Sequence, residues 1–290
     1  MSLIGLVLVL FAALLHATWN FLSKRVAGGS AFTWLCDCCG SCLWAPVVLI
    51  FIYFDRPHFT WAALGAIGVS ALLQASYLFF LQRGYKIGDF SLVYPIARGC
   101  GAGGAMLGGV LILGESLSLL SGAGALILLS GILLIATSSG RASAANQGNH
   151  RASIAYGLAT GLCIMSYTLW DKTSVTSIGL APLLLYYGVV FSRTLALAPL
   201  AYRQRSQVAE LWRKHKASAI AVGLLMFMSY VIVLSAMTFS NASIVAPVRE
   251  TSILFGAIMG QGLLKEGDTK RRLSAAALIV LGLAGIISGS

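Results

Sequence analysis

The run Gly88-Asp89-Phe90-Ser91-Leu92-Val93-Tyr94-Pro95-Ile96 has a weaker copy in Ser240-Asn241-Ala242-Ser243-Ile244-Val245-Ala246-Pro247-Val248, about 150 residues further on. Each run passes from a polar pair into an apolar stretch that holds a proline. A glutamate, Glu115 or Glu266, follows each proline about 20 residues later. His16-Ala17-Thr18-Trp19-Asn20 answers in the same way to Tyr167-Thr168-Leu169-Trp170-Asp171. The shared order and spacing of these matches make the chain a duplication. Between the copies lies its least apolar internal segment, SGRASAANQGN at 139–149, short and polar enough for a flexible linker. The division is therefore a first half over 1–138, a linker over 139–152 and a second half over 153–290.

Each half reads as five membrane-spanning helices. A hydrocarbon core of about 30 Å takes about 20 helical residues. Apolar stretches of that size occupy 3–22, 32–54, 62–83, 91–113, 118–138, 153–171, 180–202, 217–238, 243–264 and 273–290. They are continuous and do not alternate, which excludes barrel strands. The composition is 58% hydrophobic and 10% charged, where a soluble domain carries about a quarter charged residues. The first span lacks a basic leader and a small-residue cleavage site, so it reads as retained.

The net charge of +11 has its origin in orientation. Loops after odd-numbered spans hold Lys24, Arg25, Arg83, Lys86, Arg141, Arg151, Arg203, Arg205, Arg213, Lys214, Lys216, Lys265, Lys270, Arg271 and Arg272; the other loops hold only Arg56 and Lys172. This bias places the odd loops in the cytoplasm and both termini outside. Five spans per half then send the second half through the membrane in the opposite sense. The expected fold is an all-α integral membrane protein, ten transmembrane helices in two inverted five-helix repeats. Such halves can exchange conformations around a central site, a common construction for secondary transporters. Basic residues spread over several loops do not make a nucleic-acid surface.

The run GDFSLVYPIARG with LGESLS, and its copy SNASIVAPVRETSILFG with LKEG, resemble EamA-type members of the drug/metabolite transporter superfamily. The resemblance spans both halves. It implies ten helices in inverted repeats, a bacterial-type inner membrane and export or exchange of a small metabolite. It does not indicate the cargo. The Arg249-Glu250 pair departs from the family pattern, so analogy says little about charge preference there.

Charged groups within a bilayer are costly, so each marks a candidate site. Arg98 lies about seven residues into its span, roughly 10 Å deep, with Tyr94 one turn earlier on the same face. Arg249 and Glu250 occupy the equivalent turn of the ninth span, and inversion brings the two turns together near the midplane. Arg98 and Arg249 suit a carboxylate, phosphate or phosphonate; equally, they can neutralise Asp37, Asp171 or Glu250. Arg193 stands alone in its span and reads as pairing with a carboxylate or snorkelling, with ligand contact a further option, and Asp37 is itself a candidate for the pathway. His16, Trp19 and Asn20 answer to Tyr167, Trp170 and Asp171, near opposite mouths of a pathway; aromatic residues also gather at membrane interfaces without any ligand. Pro95 and Pro247 can bend their helices and free a carbonyl. A titratable His16 or Glu250 offers a route for proton coupling.

Other features carry structural readings. Cys36, Cys38, Cys39 and Cys42 lie on one helix and cannot surround a tetrahedral zinc; no metal or cofactor is expected. Gly104/Gly108, Gly256/Gly260 and Gly285/Gly289 suit close helix approach, within the chain or in a homodimer. Glu115 and Glu266 read as acids facing helix N-termini. No catalytic triad, HExxH motif or nucleotide-binding segment accompanies these, so an enzyme is not expected. The leading reading is a secondary transporter of a small polar or amphipathic metabolite, with an anionic group fitting the arginines. The alternative is a flippase for a lipid-linked carrier, or a membrane assembly partner.

Overall fold

Long apolar runs bounded by Gly, Pro and basic residues leave the backbone one way to satisfy its polar groups, which is to fold as helices. The computed structural model describes residues 1–26, 28–87, 90–138, 150–261 and 269–289. The first half holds α1 (Leu3–Val26), α2 (Gly29–Asp55), α3 (Trp61–Ile87), α4 (Phe90–Leu111) and α5 (Leu119–Ser138). The second holds α6 (His150–Thr176), α7 (Pro182–Arg203), α8 (Arg205–Phe239), α9 (Ala242–Arg249), α10 (Ser252–Gln261) and α11 (Thr269–Ser288). Among the described residues, α1, α2, α3, α6, α7 and α8 are each long and apolar enough to cross a membrane; shorter apolar helices run over Leu119–Leu134 and Ser274–Ser288. The linker and Glu266 lie outside the described residues.

Two boundaries differ from the sequence expectation. The ninth span, expected as one helix, is two. Glu250 N–H donates to the Pro247 carbonyl and Thr251 N–H to the Val248 carbonyl, each at 3.1 Å, so α9 ends in a tight three-residue turn. Thr251 Oγ1 donates to that same Val248 carbonyl at 2.8 Å and secures the break. Pro95, by contrast, sits inside a continuous α4. The eighth span is longer than expected: a polar segment from Arg205 precedes it and joins it through a kink at His215 (φ −132°). Elsewhere the ends follow local chemistry. Pro57 cannot continue α2, which closes on Arg56 in the left-handed region (φ 45°) with its N–H on the Ile52 carbonyl at 3.0 Å.

Packing runs between the halves more than within them. The main pairs are α11 with α5, α4 and α3 with α6, and α1 and α2 with α8. Further contacts join α2 with α7, α4 with α9 and α1 with α10. The two α-helices α2 and α8 meet at glycines: a Cβ on Gly223 would stand 2.5 Å from the Cys36 carbonyl oxygen and 2.7 Å from Gly40 N. The α5–α11 crossing is as close, with a Cβ on Gly282 reaching 2.6 Å from the Gly124 oxygen. Gly104 and Gly108 receive Met165 and Leu169 of α6, and Gly285 meets Gly124; Gly256 faces open space. Apolar residues such as Leu3, Leu49, Trp61, Leu72, Leu111 and Leu119 cover the outside, as a lipid-facing surface requires.

Candidate functional site

Among the described residues three polar clusters interrupt this apolar bundle, and each joins the first half to the second. The central one forms where α4 and α9 pack together. Arg98 Nη1 donates to Glu250 Oε1 at 3.1 Å and to Oε2 at 3.4 Å. Its Nη2 lies 3.3 Å from His16 Nε2. A guanidinium has no lone pair to offer, so His16 accepts through Nε2 and is the neutral imidazole. The Arg98 guanidinium also stands 5.6 Å from the Tyr94 ring, and the His16 ring meets Trp19 edge-on at 4.9 Å. Glu250 is 1% exposed, so the pair is closed to solvent.

Arg249 differs from Arg98. It is 5% exposed, yet its Nε is buried without a hydrogen-bond partner, and its nearest anionic oxygen, Glu250 Oε1, is 3.7 Å away. Among the described residues no hydrogen bond reaches its guanidinium. Glu250 is already held by Arg98, which leaves Arg249 unfilled. On the α6 and α8 side, Asp171 is fully buried. Its Oδ2 accepts from Tyr230 Oη at 2.6 Å and from Gln74 Nε2 at 3.4 Å, and the buried Ser70 hydroxyl stands beside the carboxylate. Aromatic rings bridge this region: Tyr77 to Tyr167 at 6.0 Å, Tyr167 to Tyr230 at 6.3 Å and Tyr230 to Tyr186 at 4.5 Å between centroids.

The second cluster binds α2 to α7. Arg193 forks onto Asp37, with Nε to Oδ2 and Nη2 to Oδ1 both at 2.6 Å. Trp34 Nε1 donates to the Thr194 carbonyl at 3.0 Å, and Ser41 meets Thr194 Oγ1 at 3.4 Å. The third cluster closes one end of the bundle. Glu115 accepts from the Ala242 and Ser243 backbone N–H groups at 2.7 and 2.8 Å, capping α9. Lys172 donates to the Met237 and Ser240 carbonyls at 2.6 and 2.9 Å, at the end of α8, and lies 3.9 Å from Glu115. Asn241 Nδ2 donates to the Ser116 carbonyl at 2.8 Å.

The structure thus brings His16, Trp19, Tyr94, Arg98 and Glu250 into one contact network, with Arg249 beside it. It sets Tyr167 and Asp171 with Tyr230 close by. Asp37 belongs to the separate α2–α7 cluster. Asn20 is exposed and donates to the His16 carbonyl at 2.8 Å. Trp170 donates to the Ala66 carbonyl at 3.0 Å and borders a lateral apolar groove of about 420 Å³ with Leu73, Ile112 and Leu169. Pro95 and Pro247 are buried near their arginines. Sequence reading passed over Gln74, Tyr77, Tyr186 and Tyr230; a polar or phenolic group deep in an apolar span was the available signal. The cysteine run supplies packing, with Cys36 buried among Phe32, Leu35, Ala219 and Val222.

Residues 151–288 match the model of the EamA-like transporter family. The second half of the chain is therefore EamA-like. That family consists of membrane transporters of the drug/metabolite transporter superfamily, and the six long apolar helices among the described residues agree with a multi-pass membrane protein. A solved structure whose title reads only "Crystal structure of protein" superposes with a TM-score of 0.72, covering 98% of this chain and 98% of its own at 16% identity. At that identity the likeness is one of fold alone. No curated protein matches the sequence.

Proposed function

We propose that this EamA-like protein is a secondary carrier that moves a small polar metabolite with an anionic group by alternating access. The observation that carries the reading is Arg249, a buried guanidinium whose Nε has no hydrogen-bond partner and whose ion pair with Glu250, at 3.7 Å, is shared with the closer Arg98 at 3.1 Å. A permanent charge is not kept in that condition without a counter-ion to receive. Two inverted five-helix halves would provide the motion. In support, exchanging α1 with α6, α2 with α7, α3 with α8, α4 with α9–α10 and α5 with α11 turns each packing pair named above into another pair that is also packed, α2 with α8 into α3 with α7 and α4 with α6 into α1 with α10. The basic loops set the cytoplasmic side, both termini lie outside, and a bacterial-type inner membrane with outward transport follows from the family resemblance. The lateral grooves favour this over lipid flipping, since the one between Cys100, Leu158, Ala159, Leu162 and Met165 has no charged lining for a headgroup.

The test is transport by purified protein in liposomes, after a thermal-shift screen of carboxylates, phosphonates, sugar phosphates and amino acids has found a ligand. Arg249→Gln should weaken that ligand by about tenfold to a hundredfold, the worth of charge-assisted hydrogen bonds at roughly 1.5–3 kcal/mol. Undiminished binding and transport by a folded Arg249→Gln protein would remove Arg249 from the site. Arg98→Ala should instead lower stability, by stranding Glu250.

A further inference from the structure

The polar start of α8 takes no part in the central cluster. Residues 202–216 read YRQRSQVAELWRKHK, with five basic side chains against the single acid Glu210. The backbone leaves the helical region at His215 (φ −132°, ψ 23°), so the stretch from Arg205 to Lys214 is a unit of its own at the end of the span. One side of that unit is committed to the protein. Val208 and Leu211 pack against the cluster of Phe32, Leu35 and Val222, and a Cβ on Gly28 would stand 3.0 Å from Leu211. Just ahead, Ser30 Oγ donates to Gln204 Oε1 at 3.3 Å. The other side is open. Arg205, Trp212 and Arg213 fall at i, i+7 and i+8, on one stripe of the helix, and all three are exposed, Trp212 by 44%. Tyr202, 70% exposed, joins them: the Arg205 guanidinium stands 5.4 Å from its ring, and Nη1 donates to its hydroxyl at 3.3 Å. Glu210 is taken by Lys214 at 2.7 Å. Among the described residues no carboxylate lies within ion-pair distance of Arg205, Arg213 or Lys216. A basic loop that meets only water has no use for an outward indole and phenol, and a face turned to hydrocarbon would not carry arginines. Aromatic rings beside cationic groups suit the headgroup layer, where rings lodge between polar and apolar regions and basic groups meet phosphate.

We infer that the first segment of α8 is a binding site for anionic phospholipid. Arg205 with Tyr202 takes one headgroup phosphate, and Arg213 with Trp212 takes a second, about 11 Å further along the helix. The planar guanidinium fork suits a phosphodiester, and the ring beside it fills the layer beneath. The inference goes beyond the carrier reading and does not depend on Arg249. Lipid held there should also steady the fold. Val208 and Leu211 tie the segment to the start of α2, and the rest of α8 packs on α1 and α2. A ligand on the outer face of that joint binds the folded form and raises its apparent stability.

Delipidated protein in a neutral detergent is titrated with phosphatidylglycerol, and in parallel with phosphatidylcholine of the same chains. Bound lipid is read by native mass spectrometry and stability by thermal shift. Phosphatidylglycerol should bind about tenfold or more tightly than phosphatidylcholine, raise the melting temperature, and lose most of that advantage in high salt. Arg205→Gln with Arg213→Gln should weaken phosphatidylglycerol about twentyfold, roughly fivefold for each charge removed, and leave phosphatidylcholine unchanged. Arg83→Gln with Lys86→Gln removes the same charge from the exposed end of α3 and should keep the preference. Equal loss in the two double variants would mean that net charge alone draws the lipid, and the site on α8 would be overturned. Absence of any preference in the wild type would overturn it as well. If glycerol 3-phosphate displaces the lipid at equal concentration, the site is one for soluble phosphate and the lipid assignment fails. Melting of each variant without lipid separates loss of binding from loss of fold.

Discussion

At the scale of single residues, the intramembrane charges sort into those that close the bundle and one that stays available. Arg193 and Asp37 are the clearest closing pair, doubly bonded at 2.6 Å and buried between α2 and α7. Removing one partner strands the other in the interior, at about 3–5 kcal/mol; removing both for apolar groups of similar volume costs far less. Arg193→Ala and Asp37→Ala should each lower the melting temperature sharply, and Asp37→Leu with Arg193→Met together should recover most of the loss. A loss in the double variant equal to the sum of the two single losses would mean the residues act independently. Much of this was legible in the sequence. Arg193 reads as a residue seeking a carboxylate because it stands alone, and Arg98, Glu250 and Arg249 because bilayer charge is costly. What stayed hidden is which anion each arginine takes, since that depends on helix rotation. Tyr230 and Tyr186 stayed hidden for another reason: a tyrosine in an apolar span reads as an interfacial anchor until a buried carboxylate is found beside it.

At the scale of helices, small residues decide how closely neighbours approach. A Cβ on Gly282 meets backbone atoms of α5 at 2.6 Å, and backbone cannot step aside. Gly282→Ala should therefore push α11 from α5 and cost about 1–3 kcal/mol, as overpacking does. Gly65 and Gly256 have nothing within 4 Å of such a Cβ. There an alanine only removes backbone freedom, and Gly65→Ala should be neutral or stabilising by up to about 1 kcal/mol. Melting of the three variants in one detergent separates the cases; a destabilising Gly65→Ala would refute this reading of the packing. Helix positions were legible because apolar length is a strong signal. The break after Arg249 was not, because Ser252-Ile253-Leu254-Phe255 continues the apolar run without a glycine or proline at the turn. The break comes three residues after Pro247, whereas α4 continues past Pro95, so proline alone does not mark it.

At the scale of the whole molecule, alternating access requires that contacts closing one mouth be separable from those holding the helices together. The end cluster fits that requirement, because Glu115 and Lys172 reach across to the junction of α8 and α9 through ends of helices and not through their packed faces. The proposed orientation would set this cluster on the outer side, so Gly28 and Trp212 should be labelled from the cytoplasm and Ser116 from outside in a cysteine-scanning experiment. Labelling of Gly28 and Trp212 from opposite sides would overturn the inverted arrangement and the carrier proposal with it. On the proposed orientation and mechanism, this cluster would hold the outer mouth closed. Glu115→Ala removes two charge-assisted bonds to the α9 N-terminus, worth roughly 1.5–3 kcal/mol each, and should shift the population toward an outward-open state by tenfold or more. Ser174, buried on α6 one turn beyond Asp171, is a suitable reporter. With the native cysteines replaced, Ser174→Cys should react slowly with an impermeant maleimide applied outside, and at least tenfold faster when Glu115→Ala is added. Since α9 carries Arg249 on its last turn, the same substitution should alter ligand affinity without touching the ligand. An unchanged labelling rate would show that the outer mouth is held shut by helix packing, and Glu115 would then be a helix cap and nothing more.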